Sequence, residues 1–178
     1  MGTKQTAPKG RHIAPGTGST ATVEGLPGMG QSLTRVQVHI VFSTKSRRLW
    51  LDDERADRVH RYISGIIEHQ RCRLVRAGDM PDHMHLLVAL HPDVGVAEIV
   101  RLVKANSSKW IHETWRDLRE FAWQSGYAAF SVSWSAVPAV VDYIDRQREH
   151  HAKRTYDQEI VRMLEAHRLE FDSKYLLD

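Results

Sequence analysis

Two stretches of this sequence alternate between apolar and other side chains with a period of two, and no other feature constrains the fold as strongly. In residues 35–44 (RVQVHIVFST), the large apolar residues occupy every second position and so share one face of a strand. In residues 80–90 (MPDHMHLLVAL), His83 and His85 share one face, whereas the alternating apolar residues from Met84 onward lie on the other. We therefore predict two strands, each with one face in a hydrophobic core.

The segments around these strands alternate between helical and strand patterns. Apolar residues at helical spacing predict helices over residues 52–70 and 96–115, and short apolar runs predict strands over residues 72–78 and 126–133. Together with the two strands above, the order is β-α-β-β-α-β, the split βαβ pattern of a ferredoxin-like domain. We therefore predict an α+β fold, a ferredoxin-like antiparallel sheet with two helices on one face. The two histidines and His39 would lie on the other face, which these helices leave open.

Two further helices are predicted after the last strand, over residues 135–154 and 155–171. The first contains Tyr143 and Gln147, which are four positions apart and so share a face of one continuous helix. The second opens at Thr155 with the spacing of a capping box. A helix that follows a ferredoxin-like core can lie across its open face, which would bring Tyr143 and Gln147 near the two histidines.

Composition limits the domain organisation. The length of 178 residues fits one domain, over residues 31–178, that is large enough for a proper core. Residues 1–30 are rich in Gly, Pro and Thr and poor in large apolar residues, so we predict a disordered tail. We hypothesise that Met29 is the natural start and that the residues before it are an extension. The single cysteine, Cys72, excludes an internal disulfide framework and a cysteine-rich zinc site.

The apolar runs and the net charge limit where the protein can be located and which partners it can bind. No run approaches the roughly 18 apolar residues of a membrane span, so we expect a cytoplasmic protein with no membrane partner. The formal net charge of +3 favours an anionic partner, but only weakly.

The two histidines have two interpretations when their spacing is taken alone. Imidazole is the commonest metal ligand in proteins, so the pair could bind a metal ion. Alternatively, a half-exposed strand carries two histidines on its outer face. The role of Tyr143 also has two interpretations, because a helical tyrosine can be an ordinary packing residue.

Five stretches of the sequence carry a resemblance to a known family. They are HIVFSTKSRR (39–48), PDHMHLL (81–87), VRLVKANSSKW (100–110), WQSGYAAFSVS (123–133) and VDYIDRQREHH (141–151). In these stretches the chain resembles the single-tyrosine HUH transposases of the insertion-sequence-200-like family, with their REP-associated tyrosine transposase relatives. The most specific element is a His-x-His motif followed about sixty residues later by Tyr-x-x-x-Gln, inside this fold pattern.

The resemblance implies cleavage and rejoining of single-stranded DNA at hairpins, through a 5′-phosphotyrosine. On this pattern Tyr143 is the nucleophile, and His83, His85 and Gln147 hold Mg²⁺ or Mn²⁺. Such a cation would offset the charge that develops on an attacked phosphodiester. Zinc remains possible from ligand softness alone. Family members work as dimers, so we expect a homodimer.

Several basic residues are candidates for DNA contacts. They are Lys45, Arg47, Arg48, Arg101, Lys104 and Lys109. Basic side chains make salt-dependent contacts with phosphates, although each could equally be a solvated surface charge. His39 either assists the site by contacting a metal ligand or is simply a strand-face histidine.

Three alternatives remain open. One is a domesticated relative that has the same nicking chemistry but acts on dispersed palindromic repeats. Another is a nucleic-acid-binding module without catalysis. The third is a metal-dependent phosphoesterase that uses activated water, which would tolerate Tyr143→Phe and form no covalent intermediate.

Overall fold

The structure, a computed structural model, describes residues 33–151 and 155–172. In chain order the elements are β1 (Val36–Ser43), α1 (Asp53–His69), β2 (Arg73–Met80), β3 (His83–Leu90), α2 (Val96–Thr114), β4 (Ala128–Val132), α3 (Val137–Asp145), α4 (Gln147–His151) and α5 (Tyr156–Ala166). This order confirms the predicted α+β class. The tail predicted over residues 1–30, with Met29, lies outside the described residues. None of the helices described combines the length and the apolar character needed to cross a bilayer.

The four strands form one antiparallel sheet in the order β2-β3-β1-β4. Each of the two helical connections joins strands that are separated by a third strand, as the split βαβ pattern requires. The two central strands pair so that Val41 lies opposite His85 and Ser43 lies opposite His83. The predicted histidine pair therefore lies in the middle of the sheet and not at its edge.

One face of the sheet packs against α1 and α2 and forms the main hydrophobic core. The core takes the alternate apolar residues of the two central strands and the apolar stripe of each helix. Its fully buried members include Ile40, Phe42, Ile63, Ile67, Met84, Leu86, Val103 and Ile111. Burying each such side chain contributes about 1.5–3 kcal/mol. The period-two pattern therefore assigned the core face correctly.

The opposite face of the sheet is covered by helices from the last third of the chain. A second, smaller hydrophobic cluster joins α5 to this face. Its buried members are Val41, Phe130, Tyr156, Ile160 and Leu164. Thr155 caps the start of α5, and its side chain accepts a hydrogen bond from the Gln158 amide in a capping box, as predicted.

Close packing of α3 on the sheet depends on Gly78 in β2. This residue pairs with His85 of the neighbouring strand. A Cβ atom at Gly78 would lie 2.6 Å from Cγ2 of Ile144 and 2.8 Å from its carbonyl oxygen. The missing side chain thus lets the end of α3 lie directly over the strand next to His85.

The helix predicted over residues 135–154 is interrupted. Arg146 has φ −101° and ψ 20°, outside the α region, and a new helix starts at the next residue. Tyr143 and Gln147 therefore belong to different helices, and the prediction that they share one helical face was wrong. The break coincides with the burial of Gln147, which is 2% exposed. Arg146 is a good helix former, so nothing in its type signals the interruption.

Candidate metal centre and nucleophile

His83 and His85 are fully buried on the face of β3 opposite the main core. Each is 0% exposed, and the centroids of their rings lie 5.3 Å apart. Alternation along the strand sends Met84, between them, into the core of the other face. The prediction that the two histidines share a face is confirmed.

One ring nitrogen of each histidine is held by a neighbouring side chain. Nδ1 of His83 lies 2.7 Å from Oδ1 of Asp82, and Nδ1 of His85 lies 3.0 Å from Nε2 of His39. A carboxylate can only accept, so Nδ1 of His83 carries the proton and its Nε2 presents a lone pair. His39 therefore contacts a histidine of the pair, which is the position expected of a residue that orients a metal ligand.

Three buried polar atoms around this point have no hydrogen-bond partner among the described residues. They are Nε2 of His83, Nε2 of His85 and Oε1 of Gln147. Buried polar atoms are nearly always paired, so each such orphan indicates a partner outside the protein. Two imidazole nitrogens and an amide oxygen are suitable ligands for a divalent cation, and the residues present therefore fit a metal ion.

Burial keeps His83 and His39 neutral. It lowers the pKa of His83 to about 4, although the hydrogen bond to Asp82 opposes the shift. It likewise lowers the pKa of His39 to about 3. Burial raises the pKa of Asp82, but the hydrogen bonds from His83 and Arg47 outweigh this effect and hold it below the ordinary value. At neutral pH the imidazoles of His83 and His39 are therefore uncharged.

A carboxylate that the sequence analysis missed, Glu159 of α5, lies at the centre of the site. Its Oε2 accepts a hydrogen bond from Nε2 of His151 at 2.8 Å. The same oxygen lies 3.7 Å from Nε2 of His83 and 3.6 Å from Nε2 of His85, just beyond hydrogen-bonding distance. Burial raises the pKa of Glu159, but hydrogen bonds, first that from His151, outweigh it and hold the pKa well below the ordinary value. The four residues form a compact, buried group that could hold a metal ion.

The other oxygen of Glu159 holds the predicted nucleophile. Oε1 accepts a hydrogen bond from the Tyr143 hydroxyl and another from Nε2 of Gln147 at 3.2 Å. The centroid of the Tyr143 ring lies 6.1 Å from that of His85 and 6.2 Å from that of His39. The tyrosine and the histidine pair of a single chain thus meet at one carboxylate.

The sequence did contain one signal for Glu159. Tyr156, Ile160 and Met163 form the apolar stripe of α5 at helical spacing, and Glu159 falls inside this stripe. A carboxylate is almost never buried unless it is paired, so this position marks a polar partner on the facing surface. His151 offered no comparable signal.

The first group of predicted DNA contacts lies at the rim of the site. Lys45–Arg47 forms a 3-10 turn after β1, and Arg48 follows it. Nε of Arg47 donates to Oδ2 of Asp82 at 3.1 Å, and its guanidinium carbon lies 4.5 Å from the centroid of the Tyr156 ring. Arg47 is therefore connected to the histidine pair through the carboxylate that holds it.

The second group of predicted DNA contacts lies on α2, across the sheet from the histidine pair. Nζ of Lys104 donates to the carbonyl oxygen of Gln124 at 3.0 Å, and burial lowers its pKa to about 8. Arg101 pairs with Glu98 of its own helix at 2.8 Å, and Lys109 is exposed. The structure gives Lys104 a role in holding the chain before β4, and DNA binding by this group stays a prediction.

Comparison with known proteins identifies the family. Residues 32–147 match the family model described as transposase IS200 like, which covers well over half of the chain. The chain belongs to the IS200-like transposase family. The resemblance drawn from the five sequence stretches is thereby confirmed, and the activity of the protein is that of a transposase in general terms.

Two relatives in the IS200-like transposase family show how far the likeness extends. The transposase for insertion sequence element IS200 of Salmonella typhimurium is 31% identical over 117 residues, which cover 62% of this chain and 76% of that protein. The ISDra2 transposase TnpA of Deinococcus radiodurans is 23% identical over 120 residues, which cover 65% of this chain and 86% of that protein.

Two solved structures share the fold. One is a candidate transposase from Deinococcus radiodurans R1, with a TM-score of 0.56, 25% identity, and coverage of 67% of this chain and 96% of that one. The other is a REP-associated tyrosine transposase bound to a REP hairpin, with a TM-score of 0.53, 16% identity, and coverage of 71% and 74%. The family match ends at Gln147, so His151 and Glu159 lie beyond it.

Proposed function

We propose that this member of the IS200-like transposase family cleaves and rejoins single-stranded DNA, with Tyr143 as the nucleophile and a divalent cation held by His83, His85 and Gln147. One observation carries the proposal. The hydroxyl of Tyr143 donates a hydrogen bond to the buried carboxylate of Glu159. The same carboxylate lies against Nε2 of His83 and His85, which have no hydrogen-bond partner among the described residues. A tyrosine that served only for packing would need neither neighbour.

In the proposed reaction the oxygen of Tyr143 attacks the scissile phosphorus. The bond between phosphorus and the 3′ oxygen breaks, which leaves a 5′-phosphotyrosine and a 3′ hydroxyl that has gained the tyrosine proton. A 3′ hydroxyl of another strand then attacks the same phosphorus and releases the tyrosine, so that one phosphodiester replaces another without an external energy source. A phenol, with an ordinary pKa near 10, leaves readily enough for this reversal.

The protein residues around the proposed cation orient its ligands. A bound cation would stabilise negative charge on the phosphoryl oxygens during attack. Asp82 and His39 hold Nδ1 of the two histidines, which turns both Nε2 atoms into the site. We propose Mg²⁺ or Mn²⁺, because two imidazoles and an amide oxygen leave coordination positions open for phosphate and water.

A cavity of about 450 Å³ beside Tyr143 offers DNA a path to the hydroxyl. Its walls include the apolar side chains of Val140 and Met163 and the basic side chain of Arg162. An apolar wall suits an unpaired base, and a guanidinium suits a phosphate. Residues 45–48, at the rim, would extend the contact along the strand. The basic residues of α2 would contact only DNA that reaches the other side of the sheet.

The proposed substrate is a DNA hairpin in the cytoplasm, as the family resemblance implies. The structural neighbour bound to a REP hairpin supports this choice of substrate. The expected homodimer would use β4, because it is an edge strand of the sheet and an unpaired edge can pair with a second copy.

The experiment is a denaturing gel of single-stranded DNA that carries the gene's own flanks, incubated with the protein and Mg²⁺ or Mn²⁺. We expect a covalent adduct that depends on the metal and disappears in Tyr143→Phe. The matched control is Tyr127→Phe, since Tyr127 is 40% exposed and lies outside the site. It should form the adduct at the wild-type rate.

Each other outcome contradicts a defined part of the proposal. Cleavage without an adduct, retained in Tyr143→Phe, would indicate a phosphoesterase that activates water. An adduct that persists in Tyr143→Phe would move the nucleophile to another residue. Tight hairpin binding without any cleavage would leave a binding module.

A further inference from the structure

We propose that Glu159 is itself a ligand of the metal ion, so that the site contains a carboxylate in addition to the histidine pair. This inference rests on the proposed function, because the ion in question is the one that would serve Tyr143. It goes beyond the ligand set implied by the family resemblance, and Glu159 lies outside the region that matches the family.

The donor atoms of Glu159, His83 and His85 lie close together. Oε2 of Glu159 lies 3.7 Å and 3.6 Å from Nε2 of His83 and His85. Two ligands bonded to one ion at about 2.1 Å lie about 3.0 Å apart at right angles and about 3.4 Å apart at tetrahedral angles. Each of these two separations would therefore shorten by about 0.2–0.7 Å if both atoms bound one ion, which is a small displacement for side-chain atoms.

The position of the proton on the His83 ring leaves an unfavourable contact with Glu159. Nδ1 of His83 donates to Asp82, so Nε2 of this ring carries a lone pair and no proton. That lone pair faces the negatively charged Oε2 of Glu159, and neither atom can donate to the other. Two buried electron-rich atoms that face each other are unfavourable unless a cation or a hydrogen-bond donor lies between them. The conflict is removed when both bind the same ion.

Neighbouring side chains fix the orientation of the Glu159 carboxylate. Oε1 of Glu159 accepts from Tyr143 and Gln147, and Oε2 accepts from His151, so the orientation of the group is set on all sides. Metal-binding carboxylates are characteristically held by such additional hydrogen bonds. Since the hydroxyl of Tyr143 donates a hydrogen bond to the Glu159 carboxylate, this carboxylate holds the proposed nucleophile close to the ion. A carboxylate oxygen also favours Mg²⁺ or Mn²⁺ over softer metals.

The test is a titration of Mn²⁺ into the metal-stripped protein without DNA, in which the loss of the free-ion electron paramagnetic resonance signal reports binding. We expect Glu159→Gln to weaken Mn²⁺ binding at least tenfold, and His83→Ala to weaken it as much or more. The matched control is Glu165→Gln, since Glu165 is an exposed glutamate on the same helix, and it should bind Mn²⁺ like the wild type. An affinity of Glu159→Gln within twofold of the wild type would overturn the proposal.

A second measurement needs no variant and so does not depend on Glu159→Gln folding. Wild-type protein labelled with ¹³C-glutamate is loaded with Mn²⁺ and examined by electron–nuclear double resonance. A carboxylate bound to the ion should give a strong ¹³C coupling, and its absence would contradict the assignment of Glu159.

The proposed function and the assignment of Glu159 as a ligand can be tested separately. If the wild type forms the DNA adduct while Glu159→Gln binds Mn²⁺ normally, the function stands and the ligand assignment is wrong. If Glu159→Gln loses Mn²⁺ but the wild type never forms an adduct, the ligand assignment stands and the proposed function is wrong.

Discussion

The two faces of the same sheet differ in almost every respect. One face consists of alternate apolar residues packed against α1 and α2, with its large side chains fully buried. The other face carries His39, His83 and His85 under helices from the last third of the chain, which bring Tyr143 and Glu159 to them. Consecutive residues of one strand thus serve stability and chemistry separately, and substitutions on the two faces should have separable effects.

The largest effect is expected for His85→Ala, on the functional face. Loss of this proposed metal ligand should remove several kcal/mol of transition-state stabilisation, so DNA cleavage should slow about a thousandfold or more in the gel assay. The control is Met84→Leu, next to it on the core face, where a volume-conserving change should cost less than about 1.5 kcal/mol of stability and leave cleavage nearly unchanged. Equal losses of cleavage in the two variants would contradict the claim that only the histidine face serves cleavage.

The next effect is expected for Phe42→Ala, on the core face. Phe42 is 0% exposed, and its ring packs edge-on against Trp123 with centroids 4.9 Å apart. Its removal should lower the free energy of unfolding by about 3–5 kcal/mol, measured by urea denaturation. A loss below about 1 kcal/mol would show that this face does not supply the stability of the domain.

A smaller effect is expected for Asp82→Asn, which changes a residue that orients a ligand. The carboxylate would no longer fix the proton on Nδ1 of His83, and Mn²⁺ affinity should fall by about 10–100-fold. Asp93→Asn is the control, because Asp93 is exposed and pairs with Arg71 and His91, which lie outside the site. Unchanged Mn²⁺ binding in Asp82→Asn would mean that its contact with His83 does not support the metal centre.

The smallest effects are expected for two glycines. At Gly78 a Cβ would contact Ile144, so Gly78→Ala should displace α3 and cost about 1–3 kcal/mol. At Gly65, inside α1, nothing lies within 4 Å of the added atom, and alanine should stabilise the helix by up to about 1 kcal/mol. Thermal unfolding of both variants tests the opposite signs, and a stabilised Gly78→Ala would contradict the close packing of α3.

The sequence allowed the fold and the histidine pair of the site to be predicted, because both follow from local side-chain geometry. Alternation along a strand decides which face each residue occupies, so the shared face of His83 and His85 followed from their spacing. Helical spacing in α1 and α2 identified the core stripe in the same way. Both patterns are local, and the structure preserves them.

The remainder of the site depends on long-range contacts, and the local stripe of α5 marks Glu159 as buried without naming its partners. Glu159 meets His83 across 76 positions, through a helix whose placement on the sheet is set by the small cluster around Tyr156 and Ile160. The break at Arg146 was also hidden, because this residue type favours helices. Sequence reasoning therefore placed Tyr143 and Gln147 near the histidine pair but missed Glu159 and His151, which the packing of the last helices brings to it.

The most direct test of the central claim is to identify the residue that becomes attached to DNA. Wild-type protein would be incubated with single-stranded DNA and Mn²⁺, digested, and examined by tandem mass spectrometry. The account predicts a nucleotide linked through its 5′-phosphate to Tyr143, formed only when the metal is present. Attachment to another residue, or strand cleavage with no attached nucleotide, would contradict it.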